Sequence, residues 1–264
     1  MSDGTAPFLK LRSVSKQFSR GALVLDRIDL GVAYGEFISV LGPSGCGKST
    51  LLRIIANLLQ PTDGAVIWRE RIVNAIPSEA SAGRGHRKIG FVFQDATLMP
   101  WASALDNVAL PLRLDGVDKA ERQARARVML ERVGLGDVAH AYPRELSGGM
   151  RMRVSLARAL VTTPDVLLLD EPFAALDEIT RNRLTDELAG LWQRLRFTAV
   201  FVTHSVLESV YLSQRVVVMA AQPGRIHSEV VMPVATRDEN FRVSNDYLAA
   251  CRLVSQELKA AMQR

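Results

Sequence analysis

Several features are scarce or missing in this 264-residue chain, and each absence narrows the possibilities. No apolar run approaches the roughly 18 residues that a membrane-spanning helix needs, so any role at a membrane requires a partner chain. Met1 to Pro7 has neither a basic stretch nor an apolar core, which predicts no signal peptide. The two cysteines, Cys46 and Cys251, are too few for a disulfide framework. Cys46 also sits inside a glycine-rich turn that a disulfide would block, which points to a reducing compartment. There is no internal repeat and no low-complexity segment. The net charge is only +5, with a pI of about 9.5. The densest basic stretch, Lys119 to Arg132, carries Arg122, Arg125, Arg127 and Arg132 among Ala, Val and Leu. No aromatics interleave with these arginines, so the stretch reads as a solvated helix face and no nucleic-acid partner is expected.

What is present is the composition of a globular protein, 48% hydrophobic and 23% charged, and one dominant motif. Leu41-Gly42-Pro43-Ser44-Gly45-Cys46-Gly47-Lys48-Ser49-Thr50 satisfies G-x-x-x-x-G-K-[ST] from Gly42 to Ser49. The apolar run Phe37 to Leu41 precedes it, and Thr50 to Ala56 follows with apolar residues at helical spacing. Strand, turn and helix are the context this pattern needs. A polyphosphate must be wrapped by backbone N–H groups, and Gly42, Gly45 and Gly47 let the chain curl tightly enough. The loop opens a helix whose free N–H groups favour an anion. Lys48 brings a positive charge to the β/γ-phosphates, and the Ser49 hydroxyl is placed to ligate Mg²⁺. A second carboxylate site lies 122 positions after Lys48, where Val166 to Leu169 run into Asp170-Glu171. Asp170 at the strand end suits Mg²⁺, and Glu171 suits a water poised for in-line attack on the γ-phosphate.

Apolar strands alternate with helices along the chain. Phe8 to Phe18 and Leu23 to Val32 read as antiparallel strands at a sheet edge. Ala65 to Trp68 and Ile89 to Phe93 read as short strands, and Ile76 to Gly85 as a loop. Ser103 to Leu146 is helical, interrupted by Pro111, Gly116, Gly134 and Pro143. Strands resume at Val166 to Asp170, Ala199 to Thr203 and Val216 to Met219, with helices over Asp177 to Leu195 and Val206 to Ser213. Gly224 marks a last hairpin, and the tail from Arg237 to Arg264 is helical, with Leu253, Leu258 and Met262 on its docking face. The expected fold is an α/β P-loop NTPase (RecA-like) core with an N-terminal antiparallel β subdomain and an inserted α-helical subdomain. One domain spans 1–264, with a core of 8–94 and 160–230, a helical subdomain of 95–159 and a tail of 231–264.

Leu146-Ser147-Gly148-Gly149-Met150 resembles the signature motif of ATP-binding cassette (ABC) ATPases, with Met150 where Gln is more usual. Other landmarks follow in that family's order over about residues 8 to 230. Phe18 resembles the aromatic that stacks on adenine, although it also suits a core position. Gln94 resembles a glutamine that contacts Mg²⁺ and water, although it also suits a strand cap. Ala174-Ala175-Leu176-Asp177 resembles the loop that faces a second subunit; Asp177 also suits the N-cap of its helix. Val202-Thr203-His204 resembles the motif whose histidine donates to the γ-phosphate. The resemblance implies a head-to-tail dimer in which ATP lies between one phosphate loop and the Ser147, Gly148 and Gly149 of a second copy.

Leu98-Met99-Pro100-Trp101, after Gln94, resembles the nitrate/sulfonate/taurine group of importers. That implies an ATPase subunit powering uptake of a small solute, peripheral on the cytoplasmic face of the inner membrane. Its partners would be transmembrane permease subunits, touched through Leu98, Met99 and Trp101, although these also suit packing inward on the helical insertion, and indirectly an extracytoplasmic solute-binding protein. The alternatives are a soluble non-transport ABC ATPase and the ATPase subunit of an exporter.

Overall fold

The computed structural model describes residues 7–19, 21–68, 88–232 and 238–263. The loop expected over Ile76 to Gly85 and the start of the tail at Arg237 lie outside the described residues. In chain order, β1 (Leu9–Gln17) and β2 (Leu23–Val32) pair antiparallel, and β3 (Phe37–Leu41) leads through the glycine-rich turn to α1 (Lys48–Ile55). After β4 (Asp63–Trp68) and β5 (Ile89–Val92) come three helices, α2 (Ala104–Leu114), α3 (Lys119–Arg132) and α4 (Gly148–Leu160). Sheet and helix then alternate through β6 (Val166–Asp170), α5 (Glu178–Leu195), β7 (Thr198–Thr203), α6 (Val206–Leu212) and β8 (Arg215–Ala220). The hairpin strand β9 (Arg225–Val231) and the helices α7 (Glu239–Arg242) and α8 (Asn245–Met262) complete the described chain.

The strands form two sheets. The larger has the order β5-β6-β7-β3-β8-β9 and is parallel except for β9. Every residue of β3, β6 and β7 is buried, which is why these strands read as unbroken apolar runs. Their side chains alternate between two apolar layers. Phe37, Leu41, Leu169 and Phe201 face the helices α4 and α5, while Ile38, Val40, Leu168 and Val200 face α1. The smaller sheet, β2-β1-β4, is antiparallel and separate, so β1 and β2 are not an edge of the main sheet. Arg215 on β8 joins the two by donating to Glu36 at 2.9 Å and to the Gly31 carbonyl.

Register places the site. Leu41 of β3 lies opposite Thr203 of β7, and Asp170 of β6 lies opposite Val202. The glycine-rich turn, Glu171 and His204 therefore leave the sheet side by side at its carboxyl edge, where ligands bind in parallel α/β sheets.

Two expectations are corrected. Pro111 does not break the helical region; it lies inside α2. Removing one N–H and crowding the preceding turn costs about 3 kcal/mol. Leu105, Val108 and Leu112 are buried on either side of it, and that packing holds the helix through the proline. The tail helix also docks on a different face. Tyr247, Ala250, Val254 and Ala261 are buried, whereas Leu253 and Met262 are 46% and 64% exposed. Leu258 alone of the three expected residues packs on the core. The true face is half alanine, which allows close approach but carries a weak hydrophobic signal.

Candidate functional site

The loop between β3 and α1 curls around its own lysine. Gly47 takes φ +94°, a left-handed conformation, and a Cβ there would fall 2.6 Å from Leu25. Gly42 is packed so closely that a Cβ would meet Cys46 Sγ and the Met219 carbonyl at 2.8 Å each. Lys48 is 4% exposed, and its Nζ donates to the carbonyls of Gly42 at 2.9 Å and Pro43 at 3.0 Å. Gly47 offers α1 no side-chain cap, leaving the first N–H groups of the helix to the loop's concave side. Ser44 and Gly45 are exposed, Pro43, Ser49 and Thr50 are half-buried, and Cys46 is buried, which pushes its thiol pKa up.

The carboxylates of β6 close the other side. Asp170 accepts a hydrogen bond from Ser49 Oγ at 2.8 Å. Burial raises its pKa, with the Ser49 bond opposing that shift and the neighbouring Glu171 charge adding to it. A hydroxyl and a buried carboxylate side by side, with a second acid adjacent, are the donor set a hard divalent cation takes. Glu171 adopts φ +47°, unusual for a residue with a side chain, and its N–H donates to the Val202 carbonyl at 3.0 Å. This backbone aims its carboxylate between two cations or donors. Oε1 lies 3.6 Å from Lys48 Nζ, and Oε2 lies 3.3 Å from His204 Nδ1. Nothing in the composition of the strand end pointed to this left-handed conformation; it is visible only in the fold.

Six of the expected residues thus converge within one chain: Gly42, Lys48, Ser49, Asp170, Glu171 and His204. Gln94 is exposed two residues beyond Val92, whose register partner is Leu169, so it leaves the sheet level with Glu171. Phe18 is 45% exposed beyond the end of β1, with Lys16 Nζ 5.2 Å from its ring centre. Pro43 to Gly47 and Thr50 belong to the same loop and helix start, whereas Ser147, Gly148, Gly149 and Asp177 lie elsewhere. Ser147 caps α4 by accepting from the Met150 N–H at 3.2 Å, and Gly148 is exposed beside it. Gly149 is buried, with Thr180 and Leu184 of α5 facing it. Asp177 caps α5 through the Thr180 N–H at 3.0 Å, and the bonds from Thr180 hold its carboxyl below the usual range. No hydrogen bond joins Ser147, Gly148 or Gly149 to the Gly42–Ser49 loop among the described residues. This half of the motif set presents exposed groups to solvent rather than to its own phosphate loop.

Sequence reasoning missed two polar side chains, one buried and one half-buried, that hold the strap after Gln94. Asn107 of α2 is fully buried and brackets Met99, accepting from its N–H at 2.7 Å and donating to the Ala102 carbonyl at 3.0 Å. Arg158 of α4 donates to the carbonyls of Ala96 and Thr97, both at 2.9 Å. A buried Asn on the apolar side of a helix was the available signal. The strap turns Leu98 into the core but leaves Trp101 76% exposed, so the apolar trio expected to share one contact is split. Met99, Trp101, Ala109 and Leu110 line a groove of about 560 Å³ that Arg113 and Arg122 rim.

Comparison with known proteins matches this geometry to one family. The family model described as ABC transporter matches residues 25–174. A taurine import ATP-binding protein of Pseudomonas aeruginosa is 47% identical over 237 residues, 90% of this chain and 86% of that protein. An aliphatic sulfonates import ATP-binding protein of Bacillus cereus is 42% identical, covering 89% of this chain and 91% of that protein. Among solved structures, a dimeric ATP-binding cassette in a post-hydrolysis state, bound to ADP and Pi, superposes with a TM-score of 0.70. It is 33% identical and covers 84% of this chain and 98% of its own.

Proposed function

The chain belongs to the ABC transporter family as an ATP-binding, ATP-hydrolysing subunit, and from that premise we propose that it powers import of a small sulfonate, taurine or a related alkanesulfonate. The names of both relatives support import and that solute class, and neither supports a soluble factor or an exporter. No described helix is long and apolar enough to cross a membrane. The membrane path then belongs to permease subunits, and a separate extracytoplasmic protein would deliver the solute. The groove at Met99, Trp101 and Leu110 is where a permease segment would seat, on the cytoplasmic face of the membrane.

The observation that carries the chemistry is the meeting of Lys48, the Ser49–Asp170 pair and the Glu171–His204 pair at one sheet edge. Lys48, already held by loop carbonyls, meets the β/γ-phosphates, while the backbone N–H groups of Ser44 to Thr50 wrap them. Phe18 stacks on the adenine. Ser49, Asp170 and Gln94 would hold Mg²⁺, which neutralises phosphate charge when bound. Glu171 accepts a hydrogen bond from the attacking water and polarises it, and His204 donates to the γ-phosphate. The exposed N-terminus of α4 and Asp177 complete the nucleotide site of a second copy, so two chains close head to tail on two ATP molecules. The core (8–94 and 160–230), the helical subdomain (95–159) and the tail (231–264) are the bodies that rearrange as ATP is bound and lost.

Uptake of labelled taurine and a labelled alkanesulfonate by cells with and without this chain tests the proposal. Loss of uptake in its absence, restored by the wild-type chain and not by Lys48→Ala, is the expected result. Undiminished uptake of both solutes without the chain refutes the solute class.

A further inference from the structure

Two of the residues just assigned, His204 and Asp177, sit on different connections. His204 lies between β7 and α6, and Asp177 between β6 and α5. An ion pair bridges these connections, its carboxylate buried and its guanidinium about a third exposed. Glu208 of α6 is 8% exposed, and one of its oxygens accepts from the Thr203 hydroxyl at 2.6 Å. The same hydroxyl accepts from the Ser205 N–H at 3.0 Å, and Ser205 Oγ in turn accepts from the Glu208 N–H at 3.3 Å. Both neighbours of His204 are therefore tied to Glu208. Its other oxygen lies 3.6 Å from Arg181 Nε. That guanidinium donates to the carbonyls of Phe173 at 3.3 Å and Leu176 at 2.8 Å, the stretch that ends at Asp177.

We propose that Arg181 and Glu208 are positioning residues whose ion pair locks the His204 turn to the Asp177 loop, so that the group facing the γ-phosphate and the group facing the second copy move together. Neither residue touches the nucleotide in this reading. The Arg181 fork donates to two carbonyls of the loop before α5 and faces the Glu208 carboxylate of α6 across 3.6 Å, so a shift of either connection changes the shared contact. A partly buried pair of this kind stabilises a fold only modestly, because desolvation and solvent screening offset the attraction. Its value here is geometric: it makes the placement of the histidine depend on the state of the interface loop. The inference rests on the site assignments made under the proposed function.

The test measures ATP turnover with Mg²⁺, its kcat and KM, and thermal stability for the purified full chain. Glu208→Gln keeps an acceptor for Thr203 but cannot pair with Arg181. Arg181→Met keeps the aliphatic packing but removes the fork. Each is expected to lower kcat about tenfold or more, as misplacement by about an ångström does, with KM changed less than about threefold because the phosphate loop is untouched. Arg181→Met with Glu208→Gln is expected to regain the stability lost in the single variants, since no unpaired buried charge remains. Its turnover should stay as low as that of the slower single variant. Recovery of turnover together with stability would make the pair merely structural and overturn the proposal. Where a single variant fails to fold, Thr203→Val takes its place, with the same expected drop in kcat and wild-type turnover as the contrary result. His204→Ala is the reference. If it is inactive while the pair variants are normal, the proposal alone fails. If it turns over at the wild-type rate, the assignment of His204 fails and the proposal falls with it.

Discussion

Gly149 offers a quantitative probe of how α4 and α5 share the exposed face. It is the second residue of α4, where alanine is favoured over glycine by at most about 1 kcal/mol on backbone grounds. An added Cβ would lie 2.8 Å from Thr180 Cγ2 and 3.7 Å from Leu184 Cδ1. Carbon pairs rest at about 3.5–4.0 Å, so close to an ångström must be found at Thr180. Thr180 is poorly placed to give way, because its N–H and its hydroxyl both serve Asp177. Overpacking of this kind costs about 1–3 kcal/mol, which outweighs the propensity gain. Gly149→Ala should therefore destabilise the chain by up to about 2 kcal/mol net. Thr180→Ser removes Cγ2 and keeps the hydroxyl, so in that background Gly149→Ala should be neutral or stabilising. Urea unfolding of the four proteins gives the coupling energy, expected on the order of 1–2 kcal/mol. If alanine stabilises by the same amount in both backgrounds, the close approach is not real and the reasoning fails.

Three other substitutions probe separate parts of the account. Lys48→Ala should weaken ATP binding at least about tenfold by calorimetry, the equivalent of one charge-assisted bond; unchanged affinity would remove the loop's assigned role. Asp170→Asn should raise the melting temperature at neutral pH without Mg²⁺. Burial raises the Asp170 pKa, so its ionised form costs stability above that pKa, and the cost disappears as pH falls through it. The gain should vanish in acid, where both side chains are neutral, and Mg²⁺ with ATP should stabilise the wild type more than the variant. Trp101→Ala should leave stability within about 0.5 kcal/mol, as expected for a surface change, yet weaken co-purification with the permease; an undiminished complex would show the groove to be unused.

The parallel strands were the most legible part of the fold, because β3, β6 and β7 are buried on both faces and so carry unbroken apolar runs. The glycine-rich loop was legible for a chemical reason, since only certain residue types permit its curl at that spacing. Pro111 was misread because local propensity cannot register Leu105, Val108 and Leu112 packing around it. The tail face was misread because Ala250 and Ala261 dock through closeness rather than hydrophobicity. In the site, residue identity indicated Asp170 and Glu171, but the left-handed backbone that splits Glu171 between Lys48 and His204 arises only from the register of β6 and β7. Arg181 and Glu208 carried no motif at all. They are 27 positions apart, and their meeting depends on two connections leaving the same sheet edge.

The central claim is that the loop from Gly42 to Thr50 is half of a nucleotide site, completed by Ser147, Gly148 and Gly149 of a second copy. Glu171→Gln preserves the loop while removing the carboxylate assigned to polarise the water. Sedimentation of this variant with and without ATP tests the claim most directly. A monomer without nucleotide, a dimer with ATP that persists because hydrolysis is blocked, and loss of that dimer when Ser147→Arg is added are the expected results. A variant that binds ATP yet stays monomeric at every nucleotide concentration would contradict the claim.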